Sequence, residues 1–407
     1  MQKQISFRTI VFSVAASIFA ASAVFGQAVT EAGKAAGDSW RVDGEKSVQK
    51  AMEWLKSQQH ADGSWGQTNF PAMTALGLWA FAQGNHPDRE LVCAKAATFL
   101  VSSVQPDGGI YRPATQGRGS GGLSVYNTAI CMTALHTYQK SKYTDVILAA
   151  RKFMVTGQFR GGSDDSNAGG FGYDVAPRPV VPPLLAPAAN VDAGAIPVRA
   201  PRADLSNTSW ALQAMRVTQD LEDLRPAKEG RVDVDWNAAL QFVDKLQNRD
   251  KADKEQFGGF GYETSGERGT AELEKSGKVR IIGYGSMTYA GMEAMIYVQL
   301  SLKDPRVKSS LEWASRYWSV AENPGRGKEG LFYYYNVLSK ALALTKLGQL
   351  KTPEGVEIPW RAQLVAKLAE LQNADGSWVN TQNAFWEGDP MLVTAYSILA
   401  IQNAIAP

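Results

Sequence analysis

A turn sequence that occurs near both ends of the 407-residue chain is the strongest constraint on its fold. Residues 55–65 (LKSQQHADGSW) and 368–378 (LAELQNADGSW) share the spacing Leu-x3-Gln-x2-Asp-Gly-Ser-Trp. An Asp-Gly pair suits a tight bend in which the glycine takes a positive φ and ends a helix. The tryptophan that follows predicts a large apolar contact with the next helix. Variants with glycine and aromatic residues follow the same plan at 107–111, 169–173, 258–262 and 330–333.

Each turn lies between two segments with a helical pattern, and the second segment is the more apolar one. The first helices are predicted to begin near Ser47, Val92, Val146, Trp236, Val307 and Arg361. The second helices align without gaps on a threonine or serine near their starts: Thr74, Thr128, Thr208, Thr288, Ser339 and Thr394. A threonine or serine in that position predicts a hydrogen bond to an unpaired N–H of the first helical turn.

Six helical hairpins of this kind predict the architecture. A single hairpin cannot bury its apolar face, so repeated hairpins have to stack on one another. We predict an all-α fold, an (α/α)6 toroid, in which the six first helices form an outer ring and the six second helices an inner ring. An open solenoid is the alternative, but the absence of polar capping repeats favours the closed ring.

The first residues have the pattern of a secretory signal peptide. Lys3 and Arg8 precede an apolar stretch from Thr9 to Phe25, and the small-x-small sequence GQA follows it at 26–28. A membrane anchor is the alternative, but the apolar run is shorter than the ~20 residues that span a bilayer. We therefore expect an exported protein, periplasmic or extracellular, without a transmembrane segment after cleavage. The predicted organisation is a signal peptide at 1–28, a flexible segment at 29–44 and the toroid at 45–405, with a proline-rich insertion at 174–203.

The composition excludes several classes of function. The formal charge at pH 7 is only +2, whereas nucleic-acid binding requires a dense basic surface. Two cysteines cannot form a disulfide framework, and the sequence leaves open whether Cys93 and Cys131 pair. Three histidines far apart in the sequence make no compact metal motif. We expect no metal, no cofactor and no nucleic-acid partner.

The second helices carry a stripe of small residues. Most positions three and six residues after the shared threonine or serine hold glycine, alanine, serine or cysteine. We expect this face to point to the ring axis and to border a central cavity, since pockets form readily between helices. The alternative is that small residues let the helices approach closely while other side chains fill the centre. The predicted cavity residues are Asn127, Asn207, Trp210, Cys131 and Tyr396.

The chain resembles the prenyltransferase and squalene-cyclase (terpene cyclase) repeat family. The resemblance rests on the six helical hairpins and on two Gln-x3-Gly-x-Trp turns, Gln59/Gly63/Trp65 and Gln372/Gly376/Trp378. It covers roughly residues 45–405 and implies an (α/α)6 barrel. Members of this family include class II triterpene cyclases, prenyltransferase β-subunits and the thioester domains of complement-like proteins.

The catalytic signatures that the resemblance implies are absent from this chain. The cyclase motif Asp-x-Asp-Asp-Thr-Ala has its best match at 204–209 (DLSNTS), where Asp204 matches the first Asp. Ser206 replaces the expected proton donor and Asn207 its neighbour, and neither side chain can protonate an alkene. The family's zinc site needs Asp two residues before Cys, but Ala129 precedes Cys131. The thioester motif Cys-Gly-Glu-Gln does not occur.

The catalytic residues are therefore unknown, and the two acidic candidates are Asp204 and Glu293. For Asp204 the alternative is a helix N-terminal acid. For Glu293, which lies in the apolar segment GSMTYAGMEAMIYV, the alternative is a structural hydrogen bond or salt bridge.

Three functions remain open. The first is an exported protein that binds an apolar (isoprenoid or lipid) or extended ligand, or a protein partner, in its central cavity without cyclase chemistry. The second is an enzyme that transforms an isoprenoid or another lipid with a displaced acid such as Asp204. The third is a carbohydrate-active enzyme, because (α/α)6 barrels also host that chemistry.

Overall fold

The computed structural model of the protein describes residues 39–114, 121–162, 165–175, 202–266, 269–275 and 277–406. The first helices of the six hairpins are α1 (Ser39–Ser57), α3 (Arg89–Val101), α5 (Thr144–Gly157), α8 (Trp236–Lys245), α10 (Pro305–Arg316) and α12 (Trp360–Leu371). The second helices are α2 (Pro71–Gln83), α4 (Ser124–Gln139), α6 (Leu205–Val217), α9 (Gly285–Tyr297), α11 (Leu331–Thr345) and α13 (Pro390–Ile405).

Short helices and two-stranded hairpins lie in the connections between these helices. A short helix α7 (Gln219–Asp223) and a 3-10 turn (Ala227–Glu229) lie between α6 and α8, and a second 3-10 turn (Ala384–Trp386) precedes α13. Strands β1 (Ala271–Leu273) and β2 (Val279–Ile281) form an antiparallel hairpin before α9, with Ala271 opposite Ile281. Strands β3 (Leu350–Lys351) and β4 (Glu357–Ile358) form a second hairpin before α12.

The second helices form a closed inner ring. Each of them contacts the next, in the order α2, α4, α6, α9, α11 and α13, and α13 contacts α2. At this closure Gln402 Nε2 in α13 donates to the Ala80 carbonyl of α2 at 2.9 Å. In the outer layer α12 packs against α1. The (α/α)6 toroid is thereby confirmed and the open solenoid excluded.

Burial explains why the two rings differ in sequence. In α2 every residue from Pro71 to Ala82 is buried, so the helix is apolar on all sides. Outer helices bury one stripe only: in α8 the buried residues are Ala239, Phe242 and Val243. The spacing of these three residues at i, i+3 and i+4 is that of an amphipathic helix with one face on the core.

The shared threonine fastens the preceding turn to its helix and does not cap the helix. Thr208 Oγ1 accepts a hydrogen bond from the backbone N–H of Phe171 at 2.9 Å. The same contact joins Trp65 to Thr74, Ile110 to Thr128, Phe260 to Thr288 and Trp378 to Thr394. The predicted capping role is therefore wrong. The gap-free alignment also fails in the fifth unit, because Ser339 lies deep in α11 and donates to the Asn336 carbonyl.

In four of the six hairpins the glutamine and glycine of the turn join the hairpin to the next outer helix. Gln372 Nε2 donates to the carbonyls of Gly376 and of Ser47 in α1, both at 2.9 Å. Gly376 has φ +99°, and a Cβ there would lie 2.6 Å from the Lys50 carbonyl oxygen. Gln59, Gln158 and Gln247 make equivalent pairs of bonds. The repeated turn is thus the joint between neighbouring hairpins.

Replacement of Thr208 by Val tests the threonine contact. The substitution keeps the shape of the side chain but leaves the buried N–H of Phe171 without its acceptor, so we expect a loss of about 1–3 kcal/mol in the free energy of unfolding. Thr208→Ser keeps the hydroxyl and is the matched control, with a loss below about 1 kcal/mol. Urea denaturation of both variants measures the difference, and equal losses would contradict this role.

The small residues of the inner helices do not face the axis, which corrects the sequence-based prediction. A Cβ at Gly77 would lie 2.8 Å from the Trp65 ring, and a Cβ at Gly291 would overlap the ring of Phe260. The small residues therefore make room for the turn aromatics. The shared threonine lies three residues before this small residue, as Thr74 does before Gly77. Its hydroxyl accepts a hydrogen bond from the same turn residue, so the threonine lies on this side of the helix as well.

Several predicted segments fall wholly or mainly outside the described residues. These are the signal peptide at 1–28, most of the segment at 29–44 and most of the insertion at 174–203. Residues 39–44, which were assigned to the flexible segment, are helical and begin α1. Gly44 packs against Ile401 and Ile405 of α13, which explains why this part of the chain is ordered.

Two further observations concern the cysteines and the membrane. Cys93 and Cys131 are both unpaired and buried, so the open question of a disulfide is answered. Burial raises the pKa of the Cys93 thiol to about 12 and that of Cys131 well above its usual value. No helix in the described ranges has both the length and the apolarity required for a membrane span.

Candidate functional site

A cavity of about 580 Å³ lies at the N-terminal ends of the inner helices. All six inner helices contribute to its wall, so it lies on the ring axis. Its helical lining residues are Ala72, Met73, Leu76, Tyr126, Ser206, Trp210, Ser286, Met287, Tyr333, Leu392 and Tyr396. The connecting segments add Phe70, Gly121, Leu123, Tyr173, Tyr262, Tyr284, Asn323, Arg326, Glu329, Gly330, Phe385 and Trp386.

Tyrosine and tryptophan side chains dominate the wall of the cavity. The Tyr126 and Tyr396 hydroxyls lie 3.3 Å apart, and the Tyr333 hydroxyl lies 2.7 Å from Ser206 Oγ. Burial raises the pKa of Tyr126 to about 12 and the pKa of Tyr333 and Tyr396 well above the usual value. These phenols are therefore neutral at pH 7, and they give the wall large apolar faces with few polar atoms.

A buried ion pair closes the axis below the cavity. Lys340 Nζ in α11 lies 3.1 Å from Glu293 Oε1 in α9 and donates to Gln213 Oε1 in α6 at 2.9 Å. The same ammonium lies 3.8 Å from the centroid of the Trp210 ring, whose side chain lines the cavity. Trp79 packs edge-on against Trp210 at 6.3 Å. These side chains therefore form the floor of the cavity beneath Trp210.

Burial shifts the pKa of both Glu293 and Lys340. Desolvation raises the pKa of the Glu293 carboxyl, while the Lys340 charge and hydrogen bonds from Lys340, Tyr297 and Ser209 lower it in part. Desolvation lowers the pKa of Lys340, and the Glu293 charge opposes that shift. Each charge is therefore tolerated at this depth because of the other one.

The cavity mouth has an aromatic pair in a strained turn. Phe385 (φ +56°) and Trp386 (φ +67°) both adopt left-handed backbone conformations, which bulky side chains rarely do. Phe385 is 63 % exposed and Trp386 42 % exposed, so they mark the open side of the cavity. The next residue, Glu387, is fully buried and accepts hydrogen bonds from Tyr333 N at 2.7 Å and Asn380 Nδ2 at 2.6 Å. Its carboxylate anchors the turn to the N-terminus of α11.

The structure places two of the predicted cavity residues at the cavity. Trp210 and Tyr396 line it, whereas Asn127, Asn207 and Cys131 do not. Asn127 Oδ1 accepts from Ala72 N at 2.9 Å, so this residue joins α4 to the start of α2. Asn207 Nδ2 donates to Asp204 Oδ2 at 2.8 Å. Cys131 lies three residues after Thr128, the position at which Gly77 and Gly291 accommodate a turn aromatic in other inner helices.

The two acidic candidates have structural contacts and do not line the cavity. Asp204 is the N-cap of α6, where its Oδ1 accepts from Asn207 N at 2.9 Å. Glu293 is the buried partner of Lys340. Both placements agree with the structural alternatives that the sequence offered for these residues.

Arg326, Glu329 and the Phe385–Trp386 pair were not predicted from the sequence. The sequence carried one signal for Arg326 and Glu329. The turn of the fifth unit departs most from the repeated pattern, and both residues lie in the segment 317–330 that leads into it. Across the described ranges, no three His, Cys, Asp or Glu residues are grouped so that they could hold a metal ion.

Comparison with solved structures gives the fold. The type II terpene cyclase MstE from Scytonema superposes with a TM-score of 0.51 at 13 % identity, over 89 % of this chain and 98 % of that one. The chain is an α/α toroid. This toroid is also similar to a GH76 α-mannanase of Bacteroides thetaiotaomicron (TM-score 0.50, 11 % identity, 88 % and 95 % coverage).

A third similar structure is the cellobiose 2-epimerase of Spirochaeta thermophila, with a TM-score of 0.50, 13 % identity and coverage of 91 % and 98 %. Neither a protein-family profile nor a curated protein sequence matches the chain. At these identities the likeness establishes the toroid, which terpene cyclases, glycoside hydrolases and epimerases share, and leaves function to be argued from the cavity.

Proposed function

We propose that this toroid is an exported protein that binds an apolar ligand of isoprenoid or other lipid character in its axial cavity, without cyclase chemistry. The observation that carries the proposal is the wall of neutral tyrosine, tryptophan and aliphatic side chains around about 580 Å³. Pockets of this size and apolarity bury most of a small ligand, and burial of apolar surface supplies the affinity.

The lining residues count against the two enzymatic alternatives. Protonation of an alkene requires a strong acid at the cavity, but Asp204 caps a helix and Glu293 is paired with Lys340. Glycoside hydrolysis requires two carboxyl groups that face each other across a groove. Glu329 is the only carboxylate among the lining residues of the described chain. Binding therefore fits this cavity better than either reaction.

A cavity-filling substitution tests the proposal. Ser206 is half-buried at the cavity wall, and a tryptophan there would occupy ligand space. We expect wild-type protein to bind farnesol or squalene in isothermal titration calorimetry, and Ser206→Trp to weaken that binding at least about tenfold. The matched control is Ser141→Trp, at an exposed serine in the loop between α4 and α5, on the opposite end of the ring.

Two results would contradict the proposal. One is the absence of binding across a series of apolar ligands of increasing length. The other is equal binding by the two tryptophan variants, which would place the ligand outside the cavity. Native mass spectrometry of protein from its own cell envelope tests the exported location at the same time. We expect an N-terminus after residue 28 and a bound apolar molecule.

A further inference from the structure

The formal charge in the cavity is confined to one segment. Among the lining residues of the described chain, Arg326 and Glu329 alone carry formal charge at pH 7, and both lie in the segment 317–330. This segment leads into α11 in the fifth unit, where the Gln-x3-Gly-x-Trp turn is missing. The first and sixth units have that turn, and the second, third and fourth units have glycine- and aromatic-containing variants of it. A place where one repeat departs from the common pattern is a candidate for function.

The segment is held in a fixed position against the start of α9. Asn323 is buried, and its Oδ1 accepts from Ser286 N at 2.9 Å while its Nδ2 donates to the Glu329 carbonyl at 3.0 Å. Gly285 N donates to the Pro324 carbonyl at 2.8 Å. These bonds fix both ends of the stretch from 323 to 329, so the side chain of Arg326 starts from an ordered backbone.

Arg326 faces the cavity in a geometry that suits recognition of an anion. Its guanidinium carbon lies 4.7 Å from the centroid of the Tyr284 ring, and both residues line the cavity. A guanidinium that stacks on an aromatic ring keeps its N–H donors at its edge, where a carboxylate or phosphate binds in a bidentate manner. Stacking also reduces the side-chain entropy that such a bond costs.

We propose that Arg326 recognises an anionic head group, a carboxylate or a phosphate, on the apolar ligand of this cavity. The ligand is then an acidic amphiphile whose apolar body lies between the tyrosines while its head stays at the segment 317–330. This inference rests on the proposed function, because it assigns a chemical class to the same ligand.

Glu329 is the feature that opposes this assignment, since its carboxylate would attract a cationic head instead. One feature favours the anion: of the two charged residues, only the arginine is stacked on a cavity ring. An anionic and a cationic head group on the same apolar chain should therefore change the affinity in opposite directions, and one experiment can compare them.

The experiment compares four ligands with one farnesyl chain: farnesol, farnesoic acid, farnesyl monophosphate and farnesylamine. Isothermal titration calorimetry at pH 7.5 measures each with the full chain. We expect at least one of the two anions to bind about tenfold or more tightly than farnesol, and the amine to bind more weakly than farnesol. The better of the two anions identifies the head group.

Variants assign that preference to one side chain. In Arg326→Gln the advantage of the anion over farnesol should shrink to within about twofold, while farnesol binding is kept. Arg326→Lys retains the charge without the planar fork and should keep part of the advantage. Arg249→Gln removes an exposed arginine outside the cavity and should leave the advantage unchanged. Thermal denaturation confirms that each variant is folded.

The outcomes separate this inference from the proposed function. If farnesol binds but neither anion binds more tightly, or if the amine binds best, the role of Arg326 is overturned and the apolar site stands. An anion advantage that persists in Arg326→Gln overturns it as well. If none of the four ligands binds, both proposals fail. Binding of an anion alone, lost in Arg326→Gln, supports the head-group role.

Discussion

Lys340→Met is expected to lower the free energy of unfolding by about 3–5 kcal/mol at pH 7, because it leaves the Glu293 carboxylate buried without its partner. Glu293 and Lys340 lie 3.1 Å apart, and Glu293 is completely buried. Methionine has a similar length and no charge, so the loss reports the missing ion pair and not a large cavity. Urea denaturation measures it.

The loss of stability in Lys340→Met should grow as the pH rises. Burial already raises the pKa of Glu293, and removal of the Lys340 charge raises it further. Below the pKa of the unfolded carboxyl, near pH 4.5, the group is protonated in both states and the variant loses little stability. As the pH rises above that value, the unfolded chain releases its proton while the folded variant retains it. Stability therefore falls from pH 4.5 upward, relative to wild type.

A double variant is the matched control for this prediction. Glu293→Gln with Lys340→Met removes both charges and keeps an amide for Ser209 and Tyr297. We expect it to recover most of the lost stability, to within about 1.5 kcal/mol of wild type, and to lose the added pH dependence. If the single and double variants have the same stability and the same pH profile, the Glu293–Lys340 ion pair does not determine the stability of this part of the core.

Gly258→Ala is expected to cost about 2–4 kcal/mol, because the turn glycine has no room for a side chain. Gly258 has φ +92°, and a Cβ there would overlap the backbone carbonyl of Ser309 in α10. Neither backbone can move without opening the joint between the fourth and fifth hairpins, where Gln247 also binds the Arg306 carbonyl. Thermal or urea denaturation provides the measurement.

Gly355→Ala separates the effect of the joint from that of the backbone conformation. Gly355 also has a positive φ, +85°, but a Cβ there would meet nothing within 4 Å. It should cost about 1 kcal/mol, the usual strain of alanine at a positive φ. Equal losses at the two positions would show that the turn glycine is needed for its φ alone.

The joints are the part of the molecule that the sequence predicts best. Glutamine, glycine and tryptophan in the turn each have one role that fixed geometry demands, so their spacing repeats and the toroid follows from it. Local rules of helix ends and turns suffice for these elements.

The lining of the cavity does not follow from the sequence pattern, because it depends on which face of each inner helix points to the axis. Inner helices such as α2 are buried on all sides, so periodicity gives no direction. The small residues suggested an axial face, but Gly77 and Gly291 accommodate Trp65 and Phe260. Only the long-range hydrogen bonds of the turns show the true orientation. The Glu293–Lys340 pair joins α9 to α11, and such a partner cannot be identified from one helix alone.

The most direct test of the account is the position of a bound apolar ligand. A crystal of the protein grown with 1-bromododecane would locate the bromine by its anomalous scattering. We expect a bromine peak inside the axial cavity, with the alkyl chain within about 4.5 Å of Trp210 or Tyr396. Bromine found only on the outer surface, or a cavity that holds ordered water alone, would contradict it.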